Sequence, residues 1–250
     1  MRTKDRWAGA VAFSAVMLAA SVYSMASPVG VYVNDHFSSP TLDPTVWTTN
    51  GGTYNIDPTG QLTMTADMWL ASIATVSPGA GQTVTASLTN LYTDASSKYQ
   101  QWGLAQSPAQ LGTNSILLFQ DHVTLNQTVM QIIANGVTQY CVLSRLPNAQ
   151  IAGQFALTWT PNRVTLDQNT TGTWVNIFDS NTDAPAGGGA WALPTVNMGL
   201  FAFSYLNGNL QYQRNAYLAV TAVPEPATML LIGVGGVVGL LRRQRRHLEA

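Results

Sequence analysis

Between Ser27 and Val223 the chain is written in short runs whose apolar positions recur at every second residue. In "QTVTASLTNLYT" (82–93) polar residues alternate with apolar or small ones, the period of a half-buried strand. "FALTWT" (155–160), "RVTL" (163–166), "TWVNIF" (173–178), "MGLFAFSYL" (198–206) and "AYLAVTAV" (216–223) are short and rich in β-branched and aromatic residues. Turn formers separate them: "TPN" at 160–162, "QNTTG" at 168–172, "APAGGG" at 184–189 and "NGN" at 207–209. No uninterrupted helical period of about a dozen residues occurs in this region. The pattern predicts an all-β, two-sheet sandwich of about a dozen strands, built as one domain over residues 27–223. No internal repeat is evident.

The pattern changes at both ends. "MRTKDR" is a short positive stretch, "WAGAVAFSAVMLAASV" (7–22) is apolar, and "SMA" puts Ser24 and Ala26 at the small-residue positions of a signal-peptidase site. Residues 1–26 therefore read as a signal peptide cleaved after Ala26, with an uncleaved membrane anchor as the competing reading. At the other end, Ala227 to Leu241 is apolar for 15 residues, short of the roughly 20 that cross a bilayer comfortably. Pro224 and Pro226 break any element arriving from the sandwich and hold Glu225 in an extended peptide. Arg242, Arg243, Arg245 and Arg246 follow the apolar run and would stay on the cytoplasmic side of a membrane. A short hydrophobic helix, preceded by a rigid peptide and closed by a basic cluster, is a poor core element.

Once the ends are set aside, the charge balance changes meaning. The region from Ser27 to Val223 holds nine Asp, no Glu and four basic residues (Lys98, Arg145, Arg163, Arg214), and four subtracted from nine leaves a formal −5. Charged residues make up 9% of the chain, against roughly 25% in an ordinary soluble domain. Nothing is basic enough to follow a nucleic-acid backbone. Cys141 is the only cysteine, so the domain has no internal disulfide; in "QYCVLS" it reads as a buried, apolar thiol on a strand.

Two stretches carry a resemblance. "NDHFSSPTLDPTVWTTNGG" (34–52), with Asp35, Phe37, Leu42, Asp43 and Trp47, resembles the opening of concanavalin A-like jelly rolls such as glycoside hydrolase family 16 and laminin G-like modules. "FALTWTPNRVTLDQNTTG" (155–172) is similar to a later hairpin of that fold, in which Trp159, Thr160, Pro161, Asn162 and Arg163 form the strand-joining turn. The resemblance implies a jelly roll whose first and last strands pair, leaving the tail free beside the sandwich.

Fold does not confer activity. The family 16 enzymes use a Glu-x-Asp-x-Glu strand, whose alternate residues share one face. The matching region here, "NSILLFQDHVTL" (114–125), offers Asp121 alone, and the domain holds no glutamate and no Asp-x-Asp pair. Lyases with related jelly rolls use a Gln-Ile-His element; in "VMQIIANG" Ile133 stands where the His is required. His36 and His122 each neighbour an Asp, but adjacent strand residues face opposite ways, so Asp121 and His122 would not cooperate directly. Asp35 reads as the brace of its own turn; calcium, known on some laminin G-like domains, is the one cofactor the resemblance leaves open.

Aromatic rings remain as ligand platforms. Trp47 and Trp159 fall within the fold motifs and are expected in the core. Trp69, Trp102, Trp174 and Trp191 are less constrained, and Trp69, Trp102 and Trp191 are taken as the candidate platforms for a sugar ring, with core packing as the competing role.

The ordered trio of Pro224-Glu225-Pro226, short apolar run and terminal arginines resembles the PEP-CTERM sorting signal, here over 224–246. The resemblance implies a precursor held in the bacterial inner membrane with its domain outside the cytoplasm, export through the secretion machinery and signal peptidase, and tail removal by an exosortase, a membrane transpeptidase. The mature protein would then reach the cell surface or an exopolysaccharide matrix. The expectation is a non-catalytic glycan- or matrix-binding sandwich. The alternatives are a glycan-active jelly-roll enzyme, hydrolase or lyase, using Asp121, His122 or His36, and a structural surface protein without a ligand.

Overall fold

The computed structural model describes residues 27–64, 67–91, 99–121, 127–143, 152–169, 171–205 and 211–222. The expected signal peptide with Ala26, the tail from Pro224 onward, His122 and the predicted turn at 207–209 lie outside the described residues. Among the described residues fifteen strands follow one another: β1 (Gly30–Asp35), β2 (Trp47–Thr49), β3 (Tyr54–Ile56), β4 (Leu62–Met64), β5 (Met68–Ser72), β6 (Gln82–Leu91), β7 (Tyr99–Ala105) and β8 (Ser115–Asp121). Then come β9 (Gln127–Ala134), β10 (Val137–Val142), β11 (Ala152–Thr160), β12 (Arg163–Asn169), β13 (Trp174–Asp179), β14 (Gly199–Tyr205) and β15 (Gln211–Ala222). The only helix among the described residues is a single 3-10 turn at Pro108–Gln110.

The strands form two antiparallel sheets. One runs β13-β12-β11-β6-β15-β4-β3, with β1 also paired to β15, and has eight strands; the other runs β10-β9-β8-β7-β14-β5-β2. β15 is long enough to hold β6 along one edge and both β4 and β1 along the other. The first and last strands therefore pair, from Gly30 opposite Val220 to Asp35 opposite Ala216. The β11–β12 hairpin closes at Thr160 opposite Arg163, where Pro161 and Asn162 turn the chain.

Alternation sets the core. Val84, Ala86 and Leu88 of β6 and Phe155, Leu157 and Trp159 of β11 point inward and are buried, facing Trp102, Leu104, Ile116 and Leu118 of the other sheet. Trp102 and Phe155 meet across the layer with ring centroids 5.6 Å apart. Removing a ring of this kind from a packed core costs about 3–5 kcal/mol. Gly103 of β7 adopts φ 148°, and a Cβ there would lie 2.1 Å from the carbonyl oxygen of Ile116 on β8. Only glycine fits where two backbones come this close.

Candidate functional site

Three places could carry chemistry. The first is the outward face of the seven-stranded sheet. On its strand β8, Ile116 and Leu118 enter the core, so Ser115, Leu117 and Phe119 belong to the opposite face. Phe201, Gly103 and Leu117 stand in one cross-strand row, and Trp69, Phe203, Gln101 and Phe119 in the next. There Ala71, Ala105, Leu117 and Phe201 make a second apolar cluster flanked by Trp69, Leu111 and Phe203. No described side chain on the strands of this sheet is a carboxylate. Asp121 closes β8, but its side chain lies outside the described residues.

The second place is a depression of about 250 Å³ beside Asp35 and Asp43. Both acids are engaged by their own turns. Asp35 accepts the backbone N–H of Phe37 at 2.7 Å and the indole N–H of Trp47 at 2.6 Å. Asp43 accepts the N–H of Thr45 at 2.8 Å and its hydroxyl at 2.7 Å, which holds its carboxyl below the usual range. No cluster of three or more His, Cys, Asp or Glu side chains suited to a metal occurs among the described residues.

The third place is a groove of about 310 Å³ on the outer face of the eight-stranded sheet. Thr85 and Ser87 of β6, Gln154 of β11, Trp174 of β13 and Asn215 and Tyr217 of β15 line it. Ser87 lies opposite both Ala156 and Tyr217, so small side chains make the floor between the aromatic ones. Trp174 sits on the edge strand with 48% of its surface exposed. Nδ1 of His36 lies 2.7 Å from Oδ1 of Asn215; the oxygen can only accept, so the ring nitrogen donates.

The tryptophans separate cleanly. Trp69 belongs to the outward face of the seven-stranded sheet, half-buried against the cluster of Ala71, Ala105, Leu117 and Phe201. Trp102 does not: it is 4% exposed and packed against Phe155, because its strand phase matches that of Leu104 in the core. Trp191 is half-buried, edge-on to Phe178 at 5.4 Å, and its indole N–H donates to the Asp183 carbonyl at 2.5 Å, which ties it to its loop. Trp47 and Trp159 are in the core, as their motifs predict. Trp174, left out of the candidate platforms, is the most exposed tryptophan among the described residues. Cys141 is buried, and that burial pushes its thiol up to about 11. Arg163, the last residue of the hairpin motif, forms a two-pronged ion pair with Asp179 at 3.0 and 2.6 Å and holds that carboxyl below its usual range.

Residues 222–246 match the PEP-CTERM protein-sorting motif. The tail is a PEP-CTERM sorting signal. Such a signal marks a chain for export as a membrane-held precursor and for exosortase processing, so the PEP-CTERM tail, rather than the sandwich, fixes the first half of this protein's biology. No curated protein matches the chain. Among solved structures the domain is similar to a glycosyl hydrolase family protein from Mycobacterium fortuitum, at 15% identity and a TM-score of 0.51, covering 77% of this chain and 100% of that one. It is also similar to a legume lectin-like domain from Entamoeba histolytica, at 9% identity and a TM-score of 0.50, covering 79% of this chain and 100% of that one. The exoplasmic/lumenal domain of VIP36, in a form bound to Ca2+ and Man3GlcNAc, aligns at 10% identity and a TM-score of 0.51 over 77% of this chain and 90% of that one. The fold is a concanavalin A-like, legume-lectin-like jelly roll.

Proposed function

We propose that this PEP-CTERM protein is a carbohydrate-binding module of the cell surface or its exopolysaccharide matrix, released from the inner membrane by an exosortase and without catalytic activity of its own. Signal peptidase acts first, after Ala26, and the exosortase acts last, at the Pro224-Glu225-Pro226 region. The observation that carries the binding half is the make-up of β8. Its outward register holds Ser115, Leu117, Phe119 and Asp121, a single acidic residue where retaining hydrolysis requires two carboxyls about 5–5.5 Å apart. Further support comes from the lectin-like neighbours, one of which was solved with a mannose-containing glycan and calcium. The fold alone favours neither lectin nor hydrolase.

The test uses residues 27–222, which contain the whole core from Val33 to Val220 and both paired terminal strands. The domain is screened on a glycan array and, in parallel, assayed for release of reducing sugar from the polysaccharides it binds. Binding without turnover is expected. Turnover that vanishes in Asp121→Asn would overturn the non-catalytic reading.

A further inference from the structure

We infer that the groove on the outer face of the eight-stranded sheet binds an extended, uncharged oligosaccharide, with Trp174 as its stacking platform and Thr85, Ser87, Gln154 and Asn215 as its hydrogen-bonding floor. The inference rests on the carbohydrate-binding reading and deepens it by naming the site and the charge class of the ligand.

Chemistry selects the ligand. A pyranose ring presents an apolar C–H face and a rim of hydroxyls, so its receptor needs a flat aromatic surface beside neutral donors and acceptors. Trp174 supplies the surface. It lies at the sheet edge with 48% exposure, and neither core cluster includes its ring. The side chains of Thr85, Ser87 and Gln154 have no hydrogen-bond partner among the described residues, and they give the groove hydroxyl and amide groups to offer a ligand. Asn215 is oriented: its amide oxygen is engaged by His36, which leaves the amide N–H₂ as the group available to a ligand.

Charge narrows the ligand class. Among the described residues that line the groove there is no Lys or Arg, the side chains that pair most strongly with uronate, sulfate or phosphate groups. A carboxylate, Asp167, continues the same cross-strand row beyond Ala156 and accepts the Asn176 amide N–H at 3.0 Å; its charge disfavours an anionic chain further. The rings of Trp174 and Tyr217 and the methyl of Ala156 also give the groove apolar surface, so a protein partner is the alternative that the test must separate. Length follows from the strands. Trp174 on β13 and Tyr217 on β15 are separated by β12, β11 and β6, so at the usual strand spacing the two strands lie about 19 Å apart. That span suits an oligosaccharide rather than a single sugar.

The groove is distinct from the outward face that carries Trp69, which lies on the other sheet. This makes the test decisive. The full-length chain, purified in a sugar-free detergent, is titrated calorimetrically with β-glucan, xylan and mannan oligosaccharides, and with alginate oligosaccharide as the charged counterpart. Thermal unfolding confirms that each variant is folded. At least one neutral glycan should bind, alginate should bind far more weakly, and Trp174→Ala should weaken neutral binding by about tenfold or more, as truncation of an aromatic anchor does. Trp174→Phe should keep most of the affinity, and Gln154→Ala should lower it less than Trp174→Ala. Binding that survives Trp174→Ala but disappears in Trp69→Ala overturns this site and leaves the carbohydrate reading standing. No binding to any glycan overturns both. A wild-type dimer that Trp174→Ala converts to monomer, with no glycan affected, makes the groove a protein interface and overturns the inference.

Discussion

Replacing Asp35 with alanine should destabilise the domain sharply, and the size of the effect can be worked from two hydrogen bonds. The carboxylate spans the buried indole N–H of Trp47 and the backbone N–H of Phe37, at 2.6 and 2.7 Å. Phe37 is a non-glycine residue with φ 50°, and its ring stacks on Trp47 at 5.9 Å. Both rings are in the core, at 2% and 5% exposure. Alanine leaves one buried donor unsatisfied and removes the group that holds the left-handed backbone in place. The orphaned indole costs about 1–3 kcal/mol and the lost Phe37 hydrogen bond about 1 kcal/mol more, so the loss is about 3 kcal/mol. For a domain of this size that lowers the Tm by about 6–12 °C. Circular dichroism melts of wild type and Asp35→Ala, each with and without EDTA, provide the assay. The account predicts a large drop on mutation and no effect of EDTA on either protein. A variant melting within about 1 °C of wild type would refute the brace; a wild-type Tm lowered by EDTA, with Asp35→Ala indifferent to it, would make Asp35 a calcium ligand instead.

Three further outcomes follow from the geometry and the tail. Arg163 holds the Asp179 carboxyl below its unfolded value, so this pair stabilises the fold at neutral pH and loses its contribution as pH falls through the folded value. The Tm gap between wild type and Asp179→Asn should therefore close below about pH 4, and a gap that persists unchanged to strongly acidic pH would contradict it. Cys141 is raised from 9.0 to about 11, a fall of about a hundredfold in thiolate, so iodoacetamide should label the folded domain far more slowly than the urea-unfolded one. Equal rates would place the thiol at the surface. Glu225→Ala should leave export intact and cause full-length precursor to accumulate in the membrane fraction, seen by immunoblot; normal release of this variant would remove Glu225 from the recognition step.

Much of this architecture was legible because alternation is a local signal. β6 and β11 keep one face apolar along their length, and the Trp159-to-Arg163 turn marks the hairpin between β11 and β12. Strands of three residues, such as β2, β3 and β4, are too short to show a period. β9 is buried on both faces, which erases alternation altogether. Among the tryptophans, the residue two positions away carries the phase. Trp102 shares its face with Leu104 and is buried, whereas Trp174 shares its face with the exposed Asn176. That comparison distinguishes a core ring from a surface ring without a structure. The groove itself was not legible, since its floor comes from β6, β11 and β15, which are far apart in sequence and meet only through cross-strand register. The sorting tail stands at the opposite extreme. Its three features are consecutive, so no tertiary structure is needed to read it.

The central claim, that an exosortase releases a folded jelly roll by removing its PEP-CTERM tail, is tested most directly by intact-mass spectrometry of the protein recovered outside wild-type cells. The account predicts a chain that begins at Ser27 and lacks Arg242, Arg243, Arg245 and Arg246. A released chain that still carries the arginine cluster would contradict it.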